Sequence, residues 1–486
     1  MSSKDGDKDA AKPAAAAEPA DEVRAAAAGA EEDEDASPEA IQNLFHHMAM
    51  KQRAAAKDTG ARAHGFWDKQ PVPKLAEKPD QNEPIETKTV ADVRATPYKL
   101  PPGFSWSSVD VADEKQLGEL YDLLAKNYVE DDDAMFRFDY KPEFLRWALT
   151  APGYYKDWMV GVRHASTGDL CAFISGIPVH THVRGKEMSM CEINFLCVHK
   201  ELRSKRLAPK LIKEVTRRVN LRDIWQAVYT AGVVVPSPVA DCRYFHRTLN
   251  ARKLLEIGFT RLGPRMTQLR FERLQKLAPE PVIEGWRPMA KHDISAVAKL
   301  LNAHLAKFAL HLRFSDEEVR HWLLPREGVV SAYVVARPKA AADAAAAPEA
   351  APAAAAAAAS SGAGAAAAAA PGLSATNDKG ETIVGFASYY LLPSTVLRHA
   401  KHSDLKAAYS YYNVAGEGVD LTRLMECSLI AARNEGMDVF NALHLMQNET
   451  FFKELKFGPG DGTLHYYLYN WKCAKMKPSD VGIVLL

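Results

Sequence analysis

The chain has 486 residues, with 61 Lys plus Arg against 61 Asp plus Glu, 47% hydrophobic and 25% charged. A net charge of zero gives no electrostatic argument for nucleic acid or for an anionic membrane, and the six cysteines show neither CxxC pairs nor zinc spacing. No run is apolar and long enough for a transmembrane helix and MSSKDGDKDA lacks a signal-peptide core, so a cytoplasmic protein with reduced thiols and room for two or three domains is expected.

Residues 1–40 are acidic and Ala-rich with almost no large apolar side chains, and the tail to residue 63 is expected to be disordered. Within it, Ile41, Leu44, Phe45 and Met48 repeat at helical spacing after Ser37 and Pro38, and Lys51, Arg53 and Lys57 follow. That segment reads either as transient or as a docking element for a large partner such as the ribosome. Order is expected from His64, where Gly65, Phe66 and Trp67 precede an extended, Pro-rich arm. A helix is predicted over 114–127, with Leu117, Leu120, Leu123 and Leu124 on one side. It leads through Tyr128 into Glu130, Asp131, Asp132 and Asp133, then Phe136, Phe138 and Tyr140. Four acids in a row make a solvated loop or, beside these aromatics, a mouth for a cationic peptide. A short helix over 142–149 and strands over 158–162 and 170–177 follow.

Glu192 to His199 is short, β-branched and apolar, and reads as a buried strand. From Leu207 the pattern becomes helical, with Leu211, Ile212, Val215 and Val219 on one face. Between them stand Arg203, Ser204, Lys205 and Arg206. Cations at a helix start oppose its dipole, so the stretch is either a solvated basic loop or a seat for an anion such as phosphate. A strand over 227–235 and a helix over 251–257 stopped by Gly258 come next. After a linker at 279–285, helices are predicted over 294–308 and 316–323 and strands over 332–336 and 383–391, weakly repeating the element order of the first half. The Ala-rich stretch 338–374 lies between those last two strands and reads as a tolerated, disordered surface insertion. The final residues, Val481 to Leu486, are apolar and strand-like, as if the terminus were drawn into the protein.

The strand, basic turn and helix of EINFLCVHKELRSKRLAP (192–209) resemble the pyrophosphate seat of GNAT-type acyltransferases. They resemble more closely the signature of the glycylpeptide N-tetradecanoyltransferase (N-myristoyltransferase) family. FWDKQPVPKL, EDDDAMFRFDY, VYTAGVVVP, CRYFHRTLN, LPSTV, DVFNAL and KFGPGDGTLHYYLYNWKC match in order from Phe66 to Cys473. The fold implied is α/β (α+β): two GNAT-like halves related by pseudo-two-fold symmetry, in one saddle-shaped sheet core with flanking helices. Residues 64–280 would bind acyl-CoA and 281–486 the peptide.

The resemblance implies transfer of a myristoyl group from myristoyl-CoA, a co-substrate with no tightly bound cofactor, to the α-amino group of N-terminal glycine peptides. It makes the Leu486 α-carboxylate the base and the N–H groups of Phe195 and Leu196 the oxyanion donors, with Asn194 and Thr230 handling the ammonium. Gly65, Phe66, Trp67, Phe195, Leu196, Cys197, Val198, Arg203, Ser204, Lys205, Arg206, Leu207 and Ala208 would contact the acyl-CoA. The peptide would meet Tyr128, Asp131, Asp133, Phe136, Phe138, Tyr140, Tyr244, Ser394 and Asn441, while His246, Asp461 and Gly462 would receive a small hydroxyl residue. The resemblance implies a monomer, no nucleic acid and no metal, since acyl transfer from a thioester needs none. A generic GNAT acetyltransferase would share the phosphate turn without needing an apolar C-terminus, and an acyl-CoA-binding scaffold would tolerate residues after Leu486.

Overall fold

The computed structural model describes residues 65–129, 135–338 and 373–486. The N-terminal tail with its amphipathic segment, the acids Glu130 to Asp133 and the body of the Ala-rich insert lie outside the described residues.

One mixed sheet organises the described chain. From one edge its strands run Phe104–Ser108, Val160–His164, Leu170–Val183, Lys186–Val198, Gln226–Ala231 and Gly458–Tyr469; then Ala240–Thr248, Val439–Leu443, Ala407–Ala415, Thr382–Leu391, Val330–Arg337 and Trp286–Pro288. The path reads alike from either end. Four antiparallel strands are followed by a parallel neighbour, and then by a strand from the other half of the chain. Gly458–Tyr469 thus lies between Gln226–Ala231 and Ala240–Thr248, which are neighbours in sequence.

Helices cover both faces. Asp113 accepts from the Gln116 N–H and starts the helix Glu114–Asn127, whose Leu117, Leu120, Leu123 and Leu124 pack in the cluster that holds Phe173, Phe195 and Cys197. The helix Leu207–Asn220 packs Leu207, Leu211, Val215 and Val219 with Ala172, Ile174 and Cys191. Alternation puts Phe173 on the face opposite Ala172 and Ile174, and a break in register between Asn194 and Cys197 puts Phe195 and Cys197 opposite Cys191. Each fully buried aliphatic side chain contributes about 1.5–3 kcal/mol.

Several boundaries differ from the sequence reading. The strand expected over 192–199 begins earlier, at Lys186, and ends at Val198. The strand expected to reach 235 stops at Ala231, because Val233 and Val234 are 70% and 53% exposed. Trp158 belongs to a 3-10 turn rather than to the strand Val160–His164, and the helix after Ile294 ends at Leu305. The flanks of the insert pair antiparallel with Arg337 opposite Thr382, and the six cysteines are free and buried.

The apolar C-terminal run is drawn inward. Val481–Gly482 pairs in parallel with Leu310–Leu312, which itself pairs with the end of Leu170–Val183. Val481, Ile483, Val484 and Leu485 are buried. The Tyr412 hydroxyl accepts from the Val484 N–H at 3.2 Å, and the Tyr466 hydroxyl donates to the Ile483 carbonyl at 3.2 Å.

Candidate active site

The site opens where two parallel strands part. Lys186–Val198 and Gln226–Ala231 pair only at Met190–Glu192 against Gln226–Val228. Beyond that point their facing edges diverge, and a cavity of about 440 Å³ fills the gap. Phe66, Trp67, Tyr128, Asn194, Phe195, Leu196, Ala208 and Thr230 line it, with apolar side chains of the helix Leu207–Asn220 forming one wall. Trp67 stacks on Tyr229 at 6.1 Å, and Tyr229 on Tyr467 at 5.0 Å. The arm that carries Phe66 is thereby pinned across the opening.

A bulge re-aims the strand inside this cavity. Phe173 pairs with Cys197, but the next matched pair is Ser175 with Asn194, so Phe195 and Leu196 fall out of register. Phe195 has φ 53°, a conformation that costs a non-glycine residue on the order of 1–3 kcal/mol and that gathers at functional sites. Its N–H donates to the Asn194 Oδ1 at 2.8 Å, and the Asn194 Nδ2 donates to the Leu486 oxygen at 2.5 Å. One amide side chain therefore ties the bulge to the last residue of the chain. Cys197 points into the opposite core, where burial pushes its thiol up to about 12, so it is protonated at neutral pH. Val198 is half-buried against the helix Leu207–Asn220.

The basic stretch is a 3-10 turn, Lys200–Lys205, followed by Arg206 at φ 56°. Ser204, Lys205 and Arg206 are exposed. The helix that starts at Leu207 has no side-chain cap, so its first N–H groups are left to an outside acceptor. Arg203 is anchored by donating to the Asn127 carbonyl at 2.9 Å, at the negative end of the helix Glu114–Asn127. The turn combines cations with uncapped N–H groups, the chemistry of a phosphate seat.

A second opening lies in the other half. Ala407–Ala415 and Val439–Leu443 pair in parallel only at Ala407–Tyr409 against Val439–Asn441. A cavity of about 10 Å³ follows, lined by Tyr244, Tyr390, Tyr409, Asn441 and Val484. The His246 Nδ1 lies 2.6 Å from the Asn441 Oδ1. Burial lowers the His246 pKa, outweighing Asn441 and the charge of Asp461, so the ring is neutral. Nδ1 then donates to Asn441 and Nε2 remains an acceptor. A Cβ at Gly460 would collide with that ring, and one at Gly462 would touch Tyr244. Phe136–Phe138 pairs with Ser394–Val396, with Phe138 opposite Ser394. Tyr140 is buried, 5.3 Å from the Phe195 ring and 5.6 Å from Tyr128.

The structure therefore gathers Asn194, Phe195, Leu196 and Thr230 around one cavity, with Leu486 bonded to Asn194, and Tyr244, His246, Asn441, Asp461 and Gly462 at a second site. Gly65 stays exposed at the start of the arm, and Asp131 and Asp133 lie outside the described residues. The sequence reading passed over Glu192, although a single acid in an apolar strand was its signal. It also passed over Tyr229, Tyr412 and Tyr466. His292, Asp293 and Glu381 come within metal-ligand distance of one another. Arg287 occupies both carboxylates at 2.6–2.9 Å, which makes the group an ion-pair cluster.

Residues 84–242 match the family model of the myristoyl-CoA:protein N-myristoyltransferase N-terminal domain, and residues 256–344 and 375–484 that of the C-terminal domain. The chain is 46% identical over 431 residues to glycylpeptide N-tetradecanoyltransferase 1 of Arabidopsis thaliana, covering 88% of this chain and 90% of the relative. It is also 46% identical over 440 residues to the Drosophila melanogaster glycylpeptide N-tetradecanoyltransferase, covering 90% and 84%. A crystal structure of Saccharomyces cerevisiae N-myristoyltransferase with bound myristoyl-CoA superposes with a TM-score of 0.75 at 38% identity, covering 87% of this chain and 100% of that one.

Proposed function

The chain belongs to the myristoyl-CoA:protein N-myristoyltransferase family and is an acyltransferase, and from that premise we propose that it transfers a myristoyl group from myristoyl-CoA to the α-amino group of an N-terminal glycine, with the Leu486 carboxylate as base. The observation that carries this reading is the contact of Asn194 with both the Phe195 N–H and the Leu486 oxygen, at the wall of an apolar cavity of about 440 Å³.

The acyl chain would lie among Ile193, Ile212, Val215, Val219 and Ala227, and the coenzyme phosphates at the turn before Leu207. The thioester carbonyl would then sit at the bulge. As the amine attacks, charge develops on the carbonyl oxygen, and the N–H groups of Phe195 and Leu196 would stabilise it. The Phe195 N–H donates to the Asn194 Oδ1, so it would exchange that acceptor for the oxyanion as charge develops. Thr230, on the opposite strand edge, lines the same space and would orient the ammonium. An acceptor with a Cβ would be kept from the thioester, and glycine would not. The peptide would run toward His246, whose Nε2 suits a hydroxyl donor. Partners would be glycine-initiated peptides of nascent or cleaved proteins in the cytoplasm.

Incubation with labelled myristoyl-CoA and two peptides, one starting with glycine and one with alanine, tests this. Acyl amide on the glycine peptide alone is expected. Labelling of both, or of neither, would contradict the reading.

A further inference from the structure

Acyl transfer from a thioester to an ammonium releases one net proton. The nitrogen loses two; the departing thiolate keeps one and the other must leave a buried site. In the reading above, on which this inference rests, the Leu486 carboxylate receives it. Glu192 stands two residues before Asn194, so strand alternation puts both side chains on one face. Glu192 and Leu486 line one cavity of about 20 Å³, enough for about one water. Glu192 is 8% exposed, and no hydrogen bond or ion pair holds its carboxyl among the described residues. A buried carboxylate left unpaired is costly, so its place in a cavity that Leu486 also lines calls for a use.

We propose that Glu192 and the Leu486 carboxylate share a proton, and that Glu192 passes the proton taken from the glycine ammonium out through this cavity. An N–H bond of the ammonium breaks and its proton forms O–H on Leu486. The freed lone pair makes the C–N bond, the C–S bond breaks with its electrons on sulfur, and a second N–H proton reaches that sulfur. The Leu486 proton then crosses to Glu192 and on to water, which restores the pair.

Two carboxyls that share a proton would titrate apart, one low and one high. Burial alone pushes Glu192 up to about 8, level with the roughly 7.7–8.0 of an α-amino group. A terminal carboxyl by itself, at about 3.3–3.7, falls short by about 4 units. Other ionisable groups facing the cavity are His180, Arg313, Glu318 and Tyr411, with Tyr412 held under Val484. Glu318 accepts from Ser315 at 2.7 and 2.8 Å, Arg313 lies 3.6 Å from Glu187, and His180 is exposed. Tyr411 stays neutral because burial raises it far above its ordinary value. Glu192 is thus the side-chain carboxyl in that wall, among the described residues, that no hydrogen bond or ion pair holds.

The test compares wild type, Glu192→Gln, Glu192→Asp and a chain with one glycine added after Leu486, using myristoyl-CoA and a glycine peptide between about pH 6 and 9. In Glu192→Gln, kcat should fall about 10- to 100-fold, less than the 10²–10⁴ of a general base itself, with KM and acyl-CoA affinity unchanged. Glu192→Asp should recover part of the loss. Carbon-13 NMR of glutamate-labelled wild type should show a side-chain carboxyl titrating near pH 8, absent from Glu192→Gln. Full kcat in Glu192→Gln overturns the proposal while leaving the terminal-carboxylate reading intact, provided the extended chain is inactive. An active extended chain removes that reading instead, and the pair with it. Should the variants fail to fold, lack of the titrating resonance in wild type is itself decisive against the proposal.

Discussion

Asn194 spans the Phe195 N–H and the Leu486 oxygen, so its loss should act on the chemical step rather than on binding. Asn194→Ala is expected to lower kcat about 10²-fold, the scale of a lost oxyanion-type contact, with acyl-CoA affinity unchanged in calorimetry; a rise in KM alone would place Asn194 outside the chemistry. His246 carries a pH prediction. Burial holds its pKa below the ordinary 6.5, so the neutral acceptor form persists at neutral pH. As pH falls through that lowered value, Nε2 becomes a donor and the folded state also loses stability, since a buried neutral ring resists protonation. KM for a peptide with a downstream serine should rise at acid pH, and that of its alanine analogue should not; parallel rises would remove His246 from hydroxyl recognition. None of this was legible from single residues. Asn194 and His246 stood out only through their family motifs, and Glu192 was absorbed into an apolar strand pattern.

At the scale of elements, periodicity located the helices well. Glu114–Asn127 and Pro142–Leu149 begin and end where the sequence reading puts them, and Leu207–Asn220 begins there, because caps, Pro at N1 and apolar spacing are local signals. Strand ends were less legible. The apolar run to Val235 looked like continuous strand, yet the chain leaves the sheet at Ala231 to flank the cavity. The basic turn separates backbone from charge through Arg206, which holds a left-handed φ of 56° at an uncapped helix start. Arg206→Gly should relieve on the order of 1 kcal/mol of strain, leaving thermal stability equal or higher, while weakening acyl-CoA binding through loss of the cation. Arg206→Ala should lose both. Wild-type acyl-CoA affinity in either variant, measured by calorimetry, would return the turn to a solvated loop.

Across the whole molecule the two halves are interleaved. Each ends its run of strands with one from the other, Gly458–Tyr469 on the first side and Ala240–Thr248 on the second. The weak repeat of element order hinted at two similar halves, but pairing partners are not local properties and the exchange was invisible in sequence. Residues 65–280 or 281–486 expressed alone should show no cooperative unfolding; a stable, cooperatively melting half would show that the exchanged strand is dispensable. The same interleaving brings Leu486 to Asn194, with four buried apolar residues of the tail contributing about 1.5–3 kcal/mol each to hold it there. The proposed base is main chain, so changing the Leu486 side chain would leave it in place and Leu486→Ala should stay active. The most direct measurement is therefore single-turnover acyl transfer by a chain carrying one glycine after Leu486, which turns the carboxylate into a neutral amide. The transfer rate should fall by about 10²–10⁴ with myristoyl-CoA still bound at wild-type affinity; transfer at the full rate would contradict the account and require a side-chain base near Asn194 and Thr230.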